Sequence, residues 1–349
     1  MRTGVRTRPL RIGLLFGGAA LLSTLVSSCS GAAGKVPTLV LYNGQHEETA
    51  DLLVASFEKS TGINVEVRNG EDEDYLADEI VTEGSRSPAD ILYTENSQPL
   101  EFLQEKGLLA KVDASTLAKT PARFDSPQGD WVGVSARVSV LIYNPGLISR
   151  TALPTTVLQM AEPKYKGKIA IANAETDFEP IVTSVLRTYG RTATLRWLDG
   201  LKVNAGIGHT YPDNETIADE VNRGVVAFGI VNQYYWYRLR AEVGASNVHS
   251  QIAYFAPRDP GYVLDVSGAG ILKSSKHQAE AQRFLAFLVS KQGQEILARS
   301  DSFEYPIGSG VKTLQPETPF DDLRPNPINL AELGTGEQAT DLLREVQLL

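Results

Sequence analysis

Sulfur-containing residues are nearly absent from this chain. Its 349 residues include one cysteine and two methionines. The sequence therefore excludes an internal disulfide, a CxxC zinc ribbon and an iron–sulfur cluster. Histidine is also scarce, with four in the whole chain. Any metal site must rely mainly on oxygen ligands, because soft sulfur ligands are missing.

The chain also lacks the positive charge that nucleic acids attract. The formal net charge is −9, and no basic stripe is present, so we expect no nucleic-acid partner. The common nucleotide-binding and catalytic motifs, such as GxGxxG, GxxxxGK[ST], GxSxG and HExxH, do not occur. The composition, 42% hydrophobic and 21% charged, is that of a globular protein, and the length favours two lobes.

The N-terminal segment has the composition of a bacterial secretion signal. Arginines precede an apolar run over residues 12–26, which is shorter than the roughly twenty residues of a membrane-spanning helix. The run ends in Val-Ser-Ser-Cys, as in lipoproteins whose cysteine is lipidated. We predict a lipoprotein signal peptide over residues 1–28, lipidation of Cys29 and a tether over residues 29–37. The alternative is an ordinary cleaved signal with an incidental cysteine.

Beyond the tether, short apolar runs alternate with segments of helical periodicity. This order favours an α/β fold with mostly parallel sheets. The acidic run over residues 71–74 is interpreted as a solvated helix start. Strands are predicted over residues 38–42, 63–67, 89–93, 132–143, 169–172 and 225–231, with a glycine-broken strand pair over 264–272. Helices are predicted over residues 47–61, 71–83, 100–109, 180–189, 193–201, 216–223 and 280–297.

Polar side chains follow three of the predicted strands, at the positions where open α/β sheets bind ligands. These side chains belong to His46, Glu95, Tyr234 and Tyr235. Each has an ordinary alternative: a helix start or surface position for the histidine, a helix cap for the glutamate, and packing for the tyrosines. Together they offer an imidazole, a carboxylate and two phenols, an oxygen-rich set suited to a trivalent cation such as Fe(III).

At these residues the chain resembles the periplasmic ferric-ion-binding proteins of bacterial ABC uptake systems. The matching pieces are LYNGQH at 41–46, SPADILYTE at 87–95 and VNQYYW at 231–236. They occur in the family's order and spacing, and the resemblance extends over residues 39–308. It implies an α/β, two-lobed type II periplasmic-binding-protein fold with a ligand cleft between the lobes. The implied boundaries are residues 38–137 and 266–312 for lobe 1, 138–265 for lobe 2, and 313–349 for a C-terminal segment packing on the lobes.

The resemblance also implies a ligand set and a cargo. His46, Glu95, Tyr234 and Tyr235 would bind Fe(III) as the transported ligand, and a synergistic anion, phosphate or carbonate, would complete the shell. The closed, loaded form would dock on an ABC permease in the cytoplasmic membrane. We expect a monomer that is extracytoplasmic, lipid-anchored to the cell membrane and not an enzyme.

One loop departs from the family pattern. The family has a Ser-Gly-rich anion loop after the strand at 169–172, whereas this chain has Asn-Ala-Glu-Thr-Asp at 173–177. We expect Glu175 and Asp177 to repel an anion, which leaves the identity of the anion open. The residues expected to contact the anion, by the resemblance, are Asn214, Asn232 and Thr176.

Two other functions remain open at this point. The same fold could bind another solute, such as thiamine, a polyamine, an organophosphonate or a metal chelate, with the tyrosines stacking on it. A protein of another class, a secreted enzyme, could use Glu95 and His46 as acid and base.

Overall fold

The computed structural model describes residues 37–70, 72–313 and 318–349. The predicted signal peptide, Cys29 and nearly all of the predicted tether lie outside the described residues. The described residues belong to one compact unit. None of the helices in the described ranges has the length and hydropathy of a membrane span.

The strands of the described ranges join in one mixed sheet of order β2-β1-β3-β8-β4-β6-β5, with β7 and β9 paired to β4. They are β1 (Thr38–Gly44), β2 (Asn64–Asn69), β3 (Ile91–Thr94), β4 (Trp131–Tyr143), β5 (Ile169–Ala170), β6 (Phe228–Asn232), β7 (Gln251–Ala253), β8 (Leu264–Ile271) and β9 (Tyr305–Pro306).

Helices cover the sheet and bury one face each, as their apolar periodicity requires. They are α1 (Glu47–Thr61), α2 (Glu73–Glu83), α3 (Gln98–Glu105), α4 (Ala114–Leu117), α5 (Glu179–Tyr189), α6 (Arg191–Ala205), α7 (Asn214–Arg223), α8 (Gln233–Val243), α9 (Gln278–Leu288), α10 (Lys291–Leu297), α11 (Leu330–Leu333) and α12 (Glu337–Glu345). The C-terminal end of α1 is fixed by a glycine. Gly62 follows the helix with φ 70° and donates a hydrogen bond from its amide to the Glu58 carbonyl, and glycine adopts this left-handed conformation without strain.

The expectation of mostly parallel sheets is wrong. β1 pairs in parallel with β2 and β3, and β5 with β6. The pairs β3–β8, β4–β6, β4–β7, β4–β8 and β4–β9 are antiparallel. The antiparallel pairs arise because β4 runs against all four strands that pair with it, and because β8 also runs against β3.

Two predicted elements also differ from the structure. The expected strand pair over 264–272 is a single strand, β8, whose Gly268 and Gly270 leave room for leucines: a Cβ on Gly268 would lie 2.7 Å from a methyl of Leu100. The expected long helix over 280–297 is two helices, because the Ser290 side chain accepts from the Gly293 amide and starts α10 afresh.

β4 links the two halves of the sheet. Its first part, through Val138, pairs with β8, and its last part, from Ser139, pairs with β6. Every residue of this thirteen-residue strand is buried. Arg137 lies at the changeover, opposite Asp265 of β8, and its side chain is 0% exposed.

Candidate metal centre

His46 and Glu95 meet because their strands are parallel. β1 and β3 pair in register, so their carboxyl ends lie at the same edge of the sheet. Glu95 follows β3 directly, and His46 follows β1 after one residue, Gln45. The His46 Nδ1 contacts the Glu95 carboxylate, with the two side chains 6% and 19% exposed. The His46 Nε2 is buried and has no hydrogen-bond partner among the described residues, so it is available to a ligand.

The electrostatics of this pair favour its charged form. Burial opposes protonation of His46, but the charge of Glu95 and its hydrogen bond outweigh burial and raise the pKa of the imidazole. Burial would raise the pKa of Glu95, but the neighbouring His46 outweighs it and lowers that pKa. In the absence of a metal the two groups therefore neutralise each other.

The two tyrosines come from the other half of the sheet. β6 ends at Asn232, and α8 begins at once, which places Tyr234 and Tyr235 in its first turn. Both are buried, and their ring centroids are 4.2 Å apart. The Tyr234 ring lies 5.1 Å from the His46 ring in an edge-on contact. The structure thus brings the four predicted metal ligands to one place.

Asp177 is the group on which the phenols converge. The Tyr234 hydroxyl donates to its Oδ2 at 3.1 Å and the Tyr235 hydroxyl to the same oxygen at 2.9 Å. Burial, followed by the charge of Asp177, raises the pKa of both phenols well above the ordinary value. They are therefore neutral donors here, and a bound cation of high charge is needed to ionise them.

Sequence reasoning gave Asp177 a repulsive role and missed this contact. A signal was present: Asp177 lies in the segment between β5 and α5, and β5 is parallel to β6. The carboxyl ends of these two strands therefore share an edge, just as those of β1 and β3 do.

A buried cation was missed entirely. The Arg137 Nε lies 3.6 Å from the Asp177 Oδ1, and its Nη1 lies 3.2 Å from Glu304. Glu304 also accepts from Gln45 at 3.0 Å. The available signal was a single arginine inside an otherwise uncharged, apolar strand, since a charge is buried only when it is paired.

The acidic run at the start of α2 is not merely solvated, contrary to the sequence interpretation. Glu73 is buried, and its carboxylate accepts from the amides of Glu95 at 2.6 Å and Asn96 at 3.1 Å. Gly44 permits this approach, because a Cβ there would lie 2.7 Å from the Cβ of Glu73. Glu73 thus fixes the loop that carries Glu95.

The residues predicted to contact an anion surround Asp177. The Asn214 Nδ2 donates to Asp177 Oδ2 at 3.5 Å. Thr176 accepts from Asn96 at 3.2 Å, and the same Asn96 amide lies 3.2 Å from Asp177 Oδ1. Asn232 lines a cavity of about 10 Å³ with Asp177 and Asn214, a volume for about one water molecule.

A metal site at this place would include phenol oxygens among its ligands. In the part of the chain that the structure describes, no three His, Cys, Asp or Glu side chains assemble as a metal cluster. A cation at this place would therefore depend on Tyr234 and Tyr235 as well as on His46 and Glu95.

The fold and the split ligand set define a two-lobed type II periplasmic binding protein with a ligand cleft between the lobes. The structure superposes on iron-bound HitA from Pseudomonas aeruginosa with a TM-score of 0.84 and 40% sequence identity, over 89% of this chain and 99% of that one. This similarity confirms the predicted fold class.

The sequence profile of bacterial extracellular solute-binding proteins matches residues 53–319. The chain is 38% identical to the Fe(3+)-binding periplasmic protein of Serratia marcescens over 97% of this chain and 99% of the relative. It is 34% identical to the major ferric iron-binding protein of Neisseria meningitidis, over 92% of this chain and 96% of the relative. The chain belongs to the bacterial extracellular solute-binding protein family. This membership confirms the prediction of an extracytoplasmic binding protein rather than an enzyme.

Proposed function

We propose that the protein captures ferric iron in the interlobe cleft and delivers it to an ABC permease. The observation that supports this most strongly is the convergence of His46, Glu95, Tyr234 and Tyr235, with the buried Nε2 of the histidine left unpartnered among the described residues. An imidazole, a carboxylate and two phenols form a hard, mainly oxygen ligand set, which a trivalent ion prefers. The names and high coverage of the relatives from Serratia and Neisseria support the same cargo.

The cleft favours an ion over an organic solute. The candidate ligands contact one another directly or through Asp177. The cavity beside Asp177 holds only about 10 Å³, and the larger one of about 330 Å³ is bordered by Tyr235 alone among the candidate ligands. A thiamine or a polyamine would have to separate these groups, whereas a single ion would replace the protons between them. Phosphate or carbonate as the completing anion remains a prediction from the resemblance.

The test of the cargo is direct. The purified protein is stripped of metal and supplied with ferric ion in the presence of phosphate and carbonate. We expect about one iron per chain and a visible charge-transfer band from phenolate to iron. Metal analysis and an absorption spectrum decide it, and a colourless protein that retains no iron would rule out this function.

We also propose that Cys29 carries a lipid that holds the protein at the cell membrane, as a monomer. Expression of the full chain and of Cys29→Ala in a bacterial host separates lipidation from ordinary secretion. We expect the wild type in the membrane fraction and the variant released or unprocessed. If the variant keeps both its membrane retention and its mature mass, the lipoprotein assignment is wrong.

A further inference from the structure

We propose that the cavity beside the start of β8 binds a small organic anion, a carboxylate or a phosphate ester with an apolar body, through Arg123 and Arg258. The cavity has a volume of about 600 Å³, which is within the range of small-molecule sites. Its walls come from the loop before β4, the loop before β8 and the segment between β9 and α11. None of the four candidate metal ligands lines it, so this site is separate from the metal centre.

The cavity concentrates positive charge on an acidic protein. Its lining includes three arginines, Arg123, Arg258 and Arg324, and one acid, Asp321, whereas the whole chain has a formal net charge of −9. The acid is already paired, because the Lys312 Nζ lies 3.0 Å from its Oδ2. Neither Arg123 nor Arg258 has an ion-pair partner among the described residues. Guanidinium groups bind carboxylates and phosphates with paired hydrogen bonds, so an anion is the complement of this cavity.

The backbone of Arg258 indicates that its side chain has a function. Its φ is 67°, a left-handed conformation that glycine adopts freely and arginine only at a cost. The Arg258 amide donates to the Arg324 carbonyl at 2.9 Å, and its own carbonyl accepts from the Asn326 Nδ2 at 2.9 Å. These bonds hold the residue in the conformation from which its side chain lines the cavity. A strained residue at a cavity is a reason to infer binding.

The walls of the cavity favour a ligand with an apolar part. The rings of Phe124 and Phe320, whose centroids are 5.9 Å apart, line it together with Leu264 and Leu323. An inorganic anion would leave most of the volume to water, whereas an aromatic ring or a short aliphatic chain would cover these side chains. The Arg123 guanidinium lies 4.5 Å from the centre of the Phe124 ring. The cationic and apolar parts of the cavity are therefore adjacent, as an amphiphilic anion requires.

The cavity lies beside the strands that connect the proposed lobes. Leu264, in its wall, pairs with Val138, at the point where β4 passes from β8 to β6. Arg123 belongs to the proposed lobe 1 and Arg258 to the proposed lobe 2. A ligand that both guanidinium groups bind would therefore contact both lobes next to their connection.

Isothermal titration calorimetry of the purified, metal-free protein tests the site with three probes. Phenyl phosphate has an anionic head and an apolar body, inorganic phosphate has the head alone, and benzyl alcohol has the body alone. We expect one phenyl phosphate per chain in this cavity, bound at least tenfold more tightly than either part. Phenylacetate repeats the titration with a carboxylate, and the tighter of the two amphiphilic anions identifies the preferred head group.

Two substitutions and a control assign the binding to this cavity. Arg258→Gly removes the guanidinium and relieves the positive φ, so the variant should resist urea at least as well as the wild type. We expect it to bind phenyl phosphate at least tenfold more weakly. Arg123→Gln keeps a polar side chain without the charge and should cause a loss of similar size. Arg196→Gln, which removes an exposed arginine of α6, should bind like the wild type.

Three results would overturn this inference. The first is a wild type that binds neither phenyl phosphate nor phenylacetate. The second is inorganic phosphate bound as tightly as phenyl phosphate, because the apolar walls would then contribute nothing. The third is binding at the wild-type level in both Arg258→Gly and Arg123→Gln, which would place the ligand elsewhere on the protein. If Arg258→Gly does not fold, as judged by circular dichroism, Arg123→Gln decides. None of these results bears on iron, which the metal analysis tests separately.

Discussion

Substitution of Tyr234 or Tyr235 by phenylalanine removes the hydroxyl and keeps the ring. It therefore distinguishes a role in binding metal from a role in packing. We expect Tyr234→Phe and Tyr235→Phe each to weaken or shift the visible band and to lower iron retention by at least tenfold, because each removes one phenolate. Tyr237→Phe is the matched control, since Tyr237 is a buried tyrosine of the same helix that packs on Trp236 and Phe303. A ferric spectrum unchanged in both single variants would remove the tyrosines from the ligand set.

Gly44 offers a test of the support beneath Glu95. In Gly44→Ala the new methyl would lie 2.7 Å from the Glu73 Cβ, closer than non-bonded carbons approach, so the start of α2 must move. We expect a loss of about 1–3 kcal/mol in the free energy of unfolding, together with weaker iron retention, because Glu73 holds the amides of Glu95 and Asn96. Gly208→Ala, whose added methyl would meet no atom of the described residues within 4 Å, should leave both unchanged.

The convergence of the four proposed ligands was predictable from sequence, whereas their surroundings were not. His46, Glu95 and the tyrosine pair each follow a recognisable apolar run, and strand ends gather ligands. Asp177, Arg137 and Glu304 depend on pairings between distant parts of the chain, which no local pattern encodes. From the sequence, the carboxylate of Asp177 was therefore expected to repel an anion, although in the fold it is paired with Arg137.

At the scale of elements, the contact of α5 with α12 contains a buried acid. Thr340 of α12 donates a hydrogen bond to Glu179 at the start of α5, beside the buried Ala339, Leu342 and Leu343. Burial, and then the charge of Asp74, raise the pKa of Glu179 from 4.5 to about 8. A protonated glutamate at this helix contact is therefore more compatible with the fold than an ionised one.

The sign of the resulting pH effect follows from linkage. Between pH 4.5 and about pH 8 the folded protein keeps a proton on Glu179 that the unfolded chain releases, so this residue lowers stability as the pH rises through that window. Because one pKa unit corresponds to about 1.4 kcal/mol, we expect Glu179→Gln to gain at least about 1 kcal/mol at pH 8 and little at pH 4.5. Urea unfolding at several pH values measures this.

The exposed Glu337, at the start of α12, supplies the control for this pH effect. Glu337→Gln should leave the dependence of the wild type in place. A Glu179→Gln variant with the same pH dependence as the wild type would show that the buried acid does not titrate in this window.

Element types were predicted better than their arrangement. The apolar runs and helical spacings located β1, β3, β6 and the main helices, because those signals are local. The antiparallel pairing of β8 and the short strands β7 and β9 depend on which distant segment lies alongside β4. Hydrophobic periodicity carries no information about that choice.

For the whole molecule, the split ligand set predicts closure on iron. We keep residues 38–137 with 266–312, and 138–265, as the proposed lobes, so that His46 and Glu95 lie on one lobe and the tyrosines on the other. An ion that bonds to both sides favours the closed state through differential contacts. Small-angle scattering of metal-free and ferric protein should show a smaller radius of gyration when loaded.

A variant with ligands from one lobe only is the control for closure. His46→Ala with Glu95→Ala leaves the tyrosines to hold iron weakly, and we expect no decrease in the radius of gyration of this double variant. If the wild-type radius does not change while iron is demonstrably bound, the site is closed before loading, and the permease would need another signal of occupancy.

The position of β4 in both halves of the sheet has a consequence for how the protein unfolds. The strand contributes its first part to the pairing with β8 and its last part to the pairing with β6, and it is buried along its whole length. Neither half of the sheet can lose its structure without releasing a strand that the other half needs. Two lobes that open as separate bodies should therefore denature as one cooperative unit, and the amides of β4 should be among the slowest to exchange with deuterated water.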